Sequence, residues 1–392
     1  MRPANHGGFG VRVCFIAERG RGFDGWGRYT VEVVRALRGR GVTPLLVTAD
    51  AVIDPELEGI EVYPLLPPLF GPRAQTLRTL LRTRSLRRIL ERCDVAHCVV
   101  EPYAPLVALS CPRSLPFVQT AHGAWAVAPL VDPWQRLFFR PAFQRADTIV
   151  FQTAFTRDRM AGRMRLPHHI VATGGIRPEA FRGTRPPDGP PWAAKARVVL
   201  SVGAVKERKG HDVTLEAVAL ARKAAPDLHF VLVGAADESG SYARNLRQKA
   251  DALGMTDSFH MLGRVSFDEL VSWYQRADLF VLLPRDRINS FEGLGLVYLE
   301  SAAAGVPAIG VRKSGASEAI VDGETGLLVE QGDSEAAAGA ILRLLTDEAL
   351  RARMGEAGRR RAHQLSWSNL AHRLEDTYLS LLSKSRRAGS SE

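Results

Sequence analysis

Val198-Val199-Leu200-Ser201-Val202-Gly203-Ala204-Val205-Lys206-Glu207-Arg208-Lys209-Gly210 decides the fold. An apolar, β-branched run too short for a helix ends in glycine, passes through three cations, and leads into helical spacing at 214–223. A strand that runs through a short loop straight into a helix is half of a βαβ unit, which predicts a parallel sheet covered by helices. The same alternation continues downstream, with strands expected at 229–233, 258–261, 279–282, 308–310 and 326–329. Helices are expected there at 242–253, 267–277, 296–304 and 334–345. Upstream the pattern gives strands at 11–17, 45–48, 95–100, 117–120 and 148–151, and helices at 29–38, 77–92, 103–110 and 134–145.

Between these two series lies Gly183-Thr184-Arg185-Pro186-Pro187-Asp188-Gly189-Pro190-Pro191-Trp192, too rich in proline for regular structure. The expected division is therefore a Rossmann-like domain over 1–182, a linker over 183–196 and a second domain over 197–365. Residues 366–392 are expected to form a helix returning to the first domain, ending in a frayed tail from Lys384. The class is α/β, with two doubly wound domains facing across a cleft. Such sheets take ligands outside the carboxyl ends of their strands.

Composition excludes several classes. The 392 residues are 46% hydrophobic and 24% charged, ordinary for a globular protein, and no apolar run approaches a membrane span. Residues 11–17 are a first strand and not a signal peptide. Four cysteines at irregular spacing make neither a disulfide framework nor a zinc site. Cys93, His97 and Cys98 lie close in sequence but within a strand that reads as core. A reducing cytoplasm fits. The net charge of +10 attracts anions. Much of it sits in 72–92, where Arg73, Arg78, Arg82, Arg84, Arg87, Arg88 and Arg92 interleave with Leu77, Leu80, Leu81, Leu86, Ile89 and Leu90 at helical spacing. That helix either lies on an anionic membrane surface or packs one face on the sheet with its arginines solvated. No nucleic-acid motif accompanies the charge.

Chemistry concentrates at strand ends. In Phe291-Glu292-Gly293-Leu294-Gly295-Leu296-Val297-Tyr298-Leu299-Glu300, a glycine-flanked carboxylate precedes a helix and a second carboxylate lies inside it. Unpaired amides at the Gly295-Leu296 helix start favour a phosphate. Carboxylates beside such a seat suit sugar hydroxyls, Glu300 for a ribose and Glu292 for a second sugar; an amphipathic helix with solvated glutamates is the alternative. Lys206, Arg208 and Lys209 beside glycines suit a diphosphate, or else a solvated loop. Gly234 and Gly263-Arg264-Val265 are weaker strand-to-loop signals. In the first half, Asp24-Gly25-Trp26-Gly27-Arg28-Tyr29 opens a helix after the first strand, and Gln119-Thr120-Ala121-His122-Gly123 ends another. The first reads as a glycine loop or a plain turn, the second as a cleft-facing or a structural histidine.

Together these residues resemble the retaining nucleotide-sugar glycosyltransferases of family 4, of GT-B fold. Glu292 to Glu300 resembles that family's E-x₇-E signature, and Val202-Gly203 with Lys209-Gly210 its phosphate loop. Gly305-Val306-Pro307, Ser314 to Glu318 and Asp322 to Val329 match in order and spacing. The first half is similar more loosely, through Gly25–Tyr29, His122-Gly123, Arg145 to Asp147 and Gln152-Thr153. The resemblance implies that Glu300 holds the ribose, Glu292 the transferred sugar and Lys209 the diphosphate. It implies the base beside the Arg264-Val265 backbone and phosphates at Gly295-Leu296. His122 would contact the transferred sugar and orient the acceptor, and Gly25 would admit the diphosphate to the first domain. The family implies no metal and no cofactor beyond a UDP- or GDP-linked sugar as substrate, a hydroxyl acceptor, and a cytoplasmic enzyme, peripheral on the membrane where the acceptor is lipid-linked or part of an envelope glycan. One departure stands out. Ala204 occupies the position of the family's usual arginine, and Lys206 or Arg208 is the expected substitute. An epimerase or phosphorylase of the same fold, and a catalytically silent nucleotide-sugar-binding protein, share these features.

Overall fold

The computed structural model describes residues 10–22, 25–69, 81–183, 190–194, 196–236, 240–288 and 290–389. It divides into two compact units, residues 1–175 with 367–392 and residues 176–366.

The first unit begins with β1 (Arg12–Ile16), α1 (Gly25–Arg38), β2 (Thr43–Thr48) and β3 (Glu61–Pro64). It continues with α2 (Thr83–Leu90), β4 (Val95–Cys98), α3 (Ala104–Ser110) and β5 (Phe117–Ala121). Then come α4 (Ala124–Val131), α5 (Pro133–Arg145), β6 (Thr148–Phe151), α6 (Ala154–Ala161) and β7 (His169–Val171). The sheet order is β3-β2-β1-β4-β5-β6-β7, and every pairing is parallel. The central strands β4, β5 and β6 are buried along their whole length, as a sheet covered on both faces requires.

The second unit repeats the plan. β8 (Arg197–Val202), α7 (His211–Arg222), β9 (Leu228–Val233), α8 (Ser241–Ala252) and β10 (Phe259–Gly263) come first. They are followed by α9 (Phe267–Arg276), β11 (Leu279–Val281), α10 (Leu296–Ala304), β12 (Ala308–Val311), α11 (Ala316–Ala319) and β13 (Gly326–Val329). α12 (Ser334–Thr346) and α13 (Glu348–Gln364) complete it. The order β10-β9-β8-β11-β12-β13 is again wholly parallel. In each unit the chain builds outward from its first strand and then returns beside it. The switch points therefore lie between β1 and β4 and between β8 and β11.

α14 (Trp367–Gly389) returns to the first unit and packs on α1. It runs on past Leu382 through most of the segment read as a frayed tail. Its anchors are Trp367, Leu370, Leu374 and Tyr378, all buried. Tyr378 Oη lies 2.6 Å from His97 Nδ1, and His97 Nε2 lies 2.7 Å from Thr120 Oγ1. Burial, reinforced by the nearby His122, lowers the His97 pKa to about 3, so the ring is neutral with both nitrogens satisfied by hydroxyls. His97, Cys93 and Cys98 thus belong to the core, and all four cysteines are buried and free. In the basic segment, Leu86, Ile89 and Leu90 are buried while Arg84, Arg87 and Arg88 face outward; residues 72–80 lie outside the described residues.

Three of the elements that sequence reading omitted bury few large side chains. β3 and β7 are short edge strands without a fully buried run. α13 buries Gly355, Ala357, Gly358 and Ala362 besides Leu350 and Met354, so its buried face carries few large side chains and little apolar periodicity. Those small residues bring it against α10: a Cβ on Gly355 would sit 2.2 Å from the Gly305 carbonyl oxygen.

Gly355→Ala should lower stability by roughly 1–3 kcal/mol through overpacking, although alanine is the better helix former. Gly339→Ala, at a helical site open to solvent, should raise it by about 0.5–1 kcal/mol; urea unfolding of both variants measures the contrast. Tyr378→Phe should cost about 1–3 kcal/mol by leaving His97 Nδ1 buried without a partner, read as an earlier urea midpoint at unchanged slope.

Candidate functional site

At the second unit's switch point the loop following β8 meets the loop following β11. Gly210 adopts φ 65°, and a Cβ there would fall 1.8 Å from the Leu283 carbonyl oxygen, so the contact requires glycine. The Arg285 amide donates to the Arg208 carbonyl across the same seam at 2.8 Å. This closeness sets three charges together. Lys209 Nζ lies 2.7 Å and Arg208 Nη1 2.9 Å from the same Glu292 Oε2. Glu292 is 8% exposed, and its own amide donates to Asp286 Oδ1 at 2.9 Å. Burial alone would raise its pKa, but the charges and hydrogen bonds of Lys209 and Arg208 outweigh burial and lower it to about 2.

The glutamate's loop is fixed from behind. The Gly315 amide donates to the Glu292 carbonyl at 3.2 Å, and a Cβ on Gly315 would overlap the Gly293 carbonyl oxygen. Gly295 then starts α10 at φ 70°, where a Cβ would strike the Tyr298 ring at 2.7 Å. The buried Tyr298 hydroxyl donates to the Leu282 carbonyl at 2.7 Å. No side chain caps this helix start, so the first-turn amides from Leu296 have no side-chain acceptor among the described residues. Glu300, one turn on, is 1% exposed and accepts a 2.8 Å hydrogen bond from Tyr274 Oη of α9.

The remaining residues singled out from sequence fall into three places. Lys206 is exposed and forms no ion pair among the described residues, whereas Arg208 shares Glu292 with Lys209. Ala204 offers its carbonyl to His211 Nε2 at 3.2 Å. Arg264 and Val265 follow β10, two strands from β8, after Gly263 at φ 72°. Arg285, which sequence reading missed, also stands at the seam, but its guanidinium is held by both oxygens of Asp212, at 3.0 and 2.5 Å.

The first unit has its own cluster at the β1/β4 switch point. His122 follows β5, half-buried. Its Nε2 lies 2.7 Å from the Val99 carbonyl, so that nitrogen carries the proton and Nδ1 is left as an acceptor. The Tyr29 ring meets it edge-on at 4.5 Å. Burial lowers the His122 pKa to about 4, against the opposing hydrogen bond to Val99, so the ring is neutral. Its amide donates at 2.7 Å to Glu101, which is wholly buried after β4. Burial raises the Glu101 pKa to about 7, with the amides of His122 and Gly123 acting the other way. Glu101 was missed in the sequence, although a carboxylate directly after an apolar strand is the same signal that marked His122. Gly25 begins α1 with open space where a Cβ would stand, so nothing among the described residues requires glycine there. Among the described residues, no group of three or more His, Cys, Asp or Glu could hold a metal ion, and no helix is long and apolar enough to cross a membrane.

Comparison with known proteins falls on both units. Residues 187–361 match the family described as glycosyl transferases group 1, and residues 23–174 match glycosyltransferase family 4. The chain is 31% identical over 62% of its length to a GDP-mannose-dependent alpha-(1-6)-phosphatidylinositol monomannoside mannosyltransferase of Mycolicibacterium smegmatis, spanning 64% of that relative. It is 31% identical over 69% of its length to a D-inositol 3-phosphate glycosyltransferase of Corynebacterium aurimucosum, spanning 67% of it. Among solved structures, sucrose-phosphate synthase of Thermosynechococcus elongatus superposes with a TM-score of 0.77 at 20% identity, over 95% of this chain and 100% of that one. With its two parallel Rossmann-like sheets, and with one family model matched on each unit, the chain belongs to the group 1, family 4 glycosyltransferases and has their GT-B fold.

Proposed function

We propose that this glycosyltransferase moves a hexose from a nucleoside-diphosphate sugar to a hydroxyl of a lipid-linked or envelope-glycan acceptor, with retention at the anomeric carbon. The observation that carries the reading is the carboxylate held by two cations at a sheet switch point. Without ligand, Lys209 and Arg208 neutralise Glu292. A diphosphate brings stronger acceptors, and the two cations turn to it. Glu292 then accepts hydroxyl hydrogen bonds from the sugar. The uncapped amides at Gly295 and Leu296 receive a phosphate, Glu300 takes the ribose hydroxyls, and the backbone at Arg264 and Val265 lies along the base. Arg208 fills the place of the arginine absent at Ala204, with Lys206 contributing charge from the loop surface.

In the first unit, neutral His122 offers Nδ1 to a hydroxyl of the transferred sugar or acceptor, and Gly25 leaves room for the diphosphate. The developing charge on the leaving diphosphate is met by Lys209, Arg208 and the helix-start amides, which suffices without a metal. Support for a lipid-linked acceptor comes from the mannosyltransferase relative, whose name specifies a phosphatidylinositol monomannoside, and from the outward arginines of α2. The other relative's name specifies D-inositol 3-phosphate instead. An enzyme of this kind would work in the cytoplasm, against the inner membrane face.

Removing either carboxylate should cost about 1.5–3 kcal/mol, or roughly 10- to 150-fold in kcat/KM. Glu300→Ala should act mainly on nucleotide affinity and Glu292→Ala mainly on transfer. Lys209→Ala should weaken nucleoside diphosphate binding while sparing the nucleoside. Calorimetric titration and donor-consumption assays measure these splits, and near-parental activity in either glutamate variant would sink the assignment.

Glu101 gives a pH-dependent expectation. Its folded pKa, about 7, lies above the 4.5 of a free glutamate, so the folded state keeps a proton that the unfolded chain has released. The stability this contributes is fully present below 4.5 and is lost as pH rises through 7. Glu101→Gln copies the neutral form. Its melting temperature should exceed the parent's at pH 8, and the difference should shrink steadily toward pH 4.5.

A further inference from the structure

Three helices of the first unit form a row, α2 packing on α3 and α3 on α5. Their outward sides are unusual for a solvent face. On α5 only Ala142 and Phe143 are buried, while Trp134 is 77%, Leu137 64% and Phe138 61% exposed. Positions 134, 137, 138 and 141 fall on one stripe of the helix, and Pro141 continues it, also exposed. Leu109 on α3 and Leu81 before α2 are exposed on the same row. Arginines border this apolar strip. Arg140 lies beside the stripe on α5, Arg84 and Arg88 on α2, and none of the three forms an ion pair among the described residues.

We propose that this row is the face by which the protein docks on an anionic bilayer. Trp134, Leu137 and Phe138 would enter the boundary between headgroups and acyl chains, and Arg84, Arg88 and Arg140 would meet lipid phosphates. Large apolar and aromatic side chains on the exposed side of a helix, with a cation beside them, are the composition of an interfacial helix. A two-fold contact between copies would instead set these arginines against one another on a chain of net charge +10. An anionic surface supplies the opposite charge. The division of labour is clear in the side chains. α2 has spent its apolar side on the core and brings charge, and α5 brings the apolar contact. The proposal deepens the functional reading by naming the surface through which a lipid-borne acceptor would be reached, and it rests on that reading only for its purpose.

The full chain should be sedimented with vesicles of phosphatidylcholine alone and of equal parts phosphatidylcholine and phosphatidylglycerol. Binding is expected only to the second, with a blue shift of tryptophan emission and release at high salt. The triple variant Trp134→Ser, Leu137→Ser, Phe138→Ser should melt like the parent, bind nucleoside diphosphate unchanged, and lose about tenfold or more in vesicle affinity. Arg84→Gln and Arg88→Gln with Arg140→Gln should weaken binding and flatten its salt dependence. Failure of the parent to bind anionic vesicles overturns the proposal, as does parental affinity in the triple variant. A lipid-free dimer that the triple variant abolishes would assign the face to a second copy. Transfer to a short-chain soluble acceptor without vesicles is read separately, so docking and sugar transfer can fail independently.

Discussion

A carboxylate with almost no access to water is tolerated only when its charge is answered within hydrogen-bond reach. At Glu292 that answer comes from two adjacent residues of a different loop, and it is what joins the turn after β8 to the turn after β11. The arrangement looks costly until its purpose is considered. Two cations kept at a sheet's carboxyl edge without a partner would repel each other, whereas a shared glutamate holds them side by side, where the proposed diphosphate would meet both. The remaining features of the seam serve that spacing. Gly210 permits the close approach to Leu283, Gly315 supports the glutamate's backbone, and Tyr298 closes the floor beneath it. A buried pair of this kind contributes little net stability but fixes position.

The first unit solves the converse problem. Its switch point holds a histidine kept neutral and a glutamate held near the midpoint of its titration, both through burial. Where the second unit assembles full charges, the first assembles a neutral imidazole and a carboxyl whose ionisation burial disfavours. Under the proposed function that choice suits a sugar, because hydroxyls bind well to neutral partners and a fixed charge would attract water in their place.

Legibility in the sequence followed side-chain size. Central strands of both sheets could be read because parallel sheets need unbroken apolar runs, and the glycine-bounded α10 because Gly295 and Gly305 mark its two ends. α13 could not, since much of the face it buries is glycine and alanine, residues that carry no periodic signal. The charged loop at 206–210 and the carboxylate at 292 were visible as separate motifs, but nothing in the chain announced that they touch. That contact spans more than eighty residues and depends on strand order. Tyr274 escaped for a related reason: its hydroxyl matters through a hydrogen bond to Glu300, on a different helix.

The return of α14 to the first unit has a consequence for how the protein is made. The sheet of that unit is complete by Val171, yet Trp367 and Tyr378, which cover Tyr29 and His97, emerge nearly two hundred residues later. During translation the first sheet must therefore wait with polar groups unanswered while the second unit, continuous in sequence, finishes folding. The early half is the late folder, and a ribosome stalled beyond the second unit would display one closed domain and one still open to chaperones.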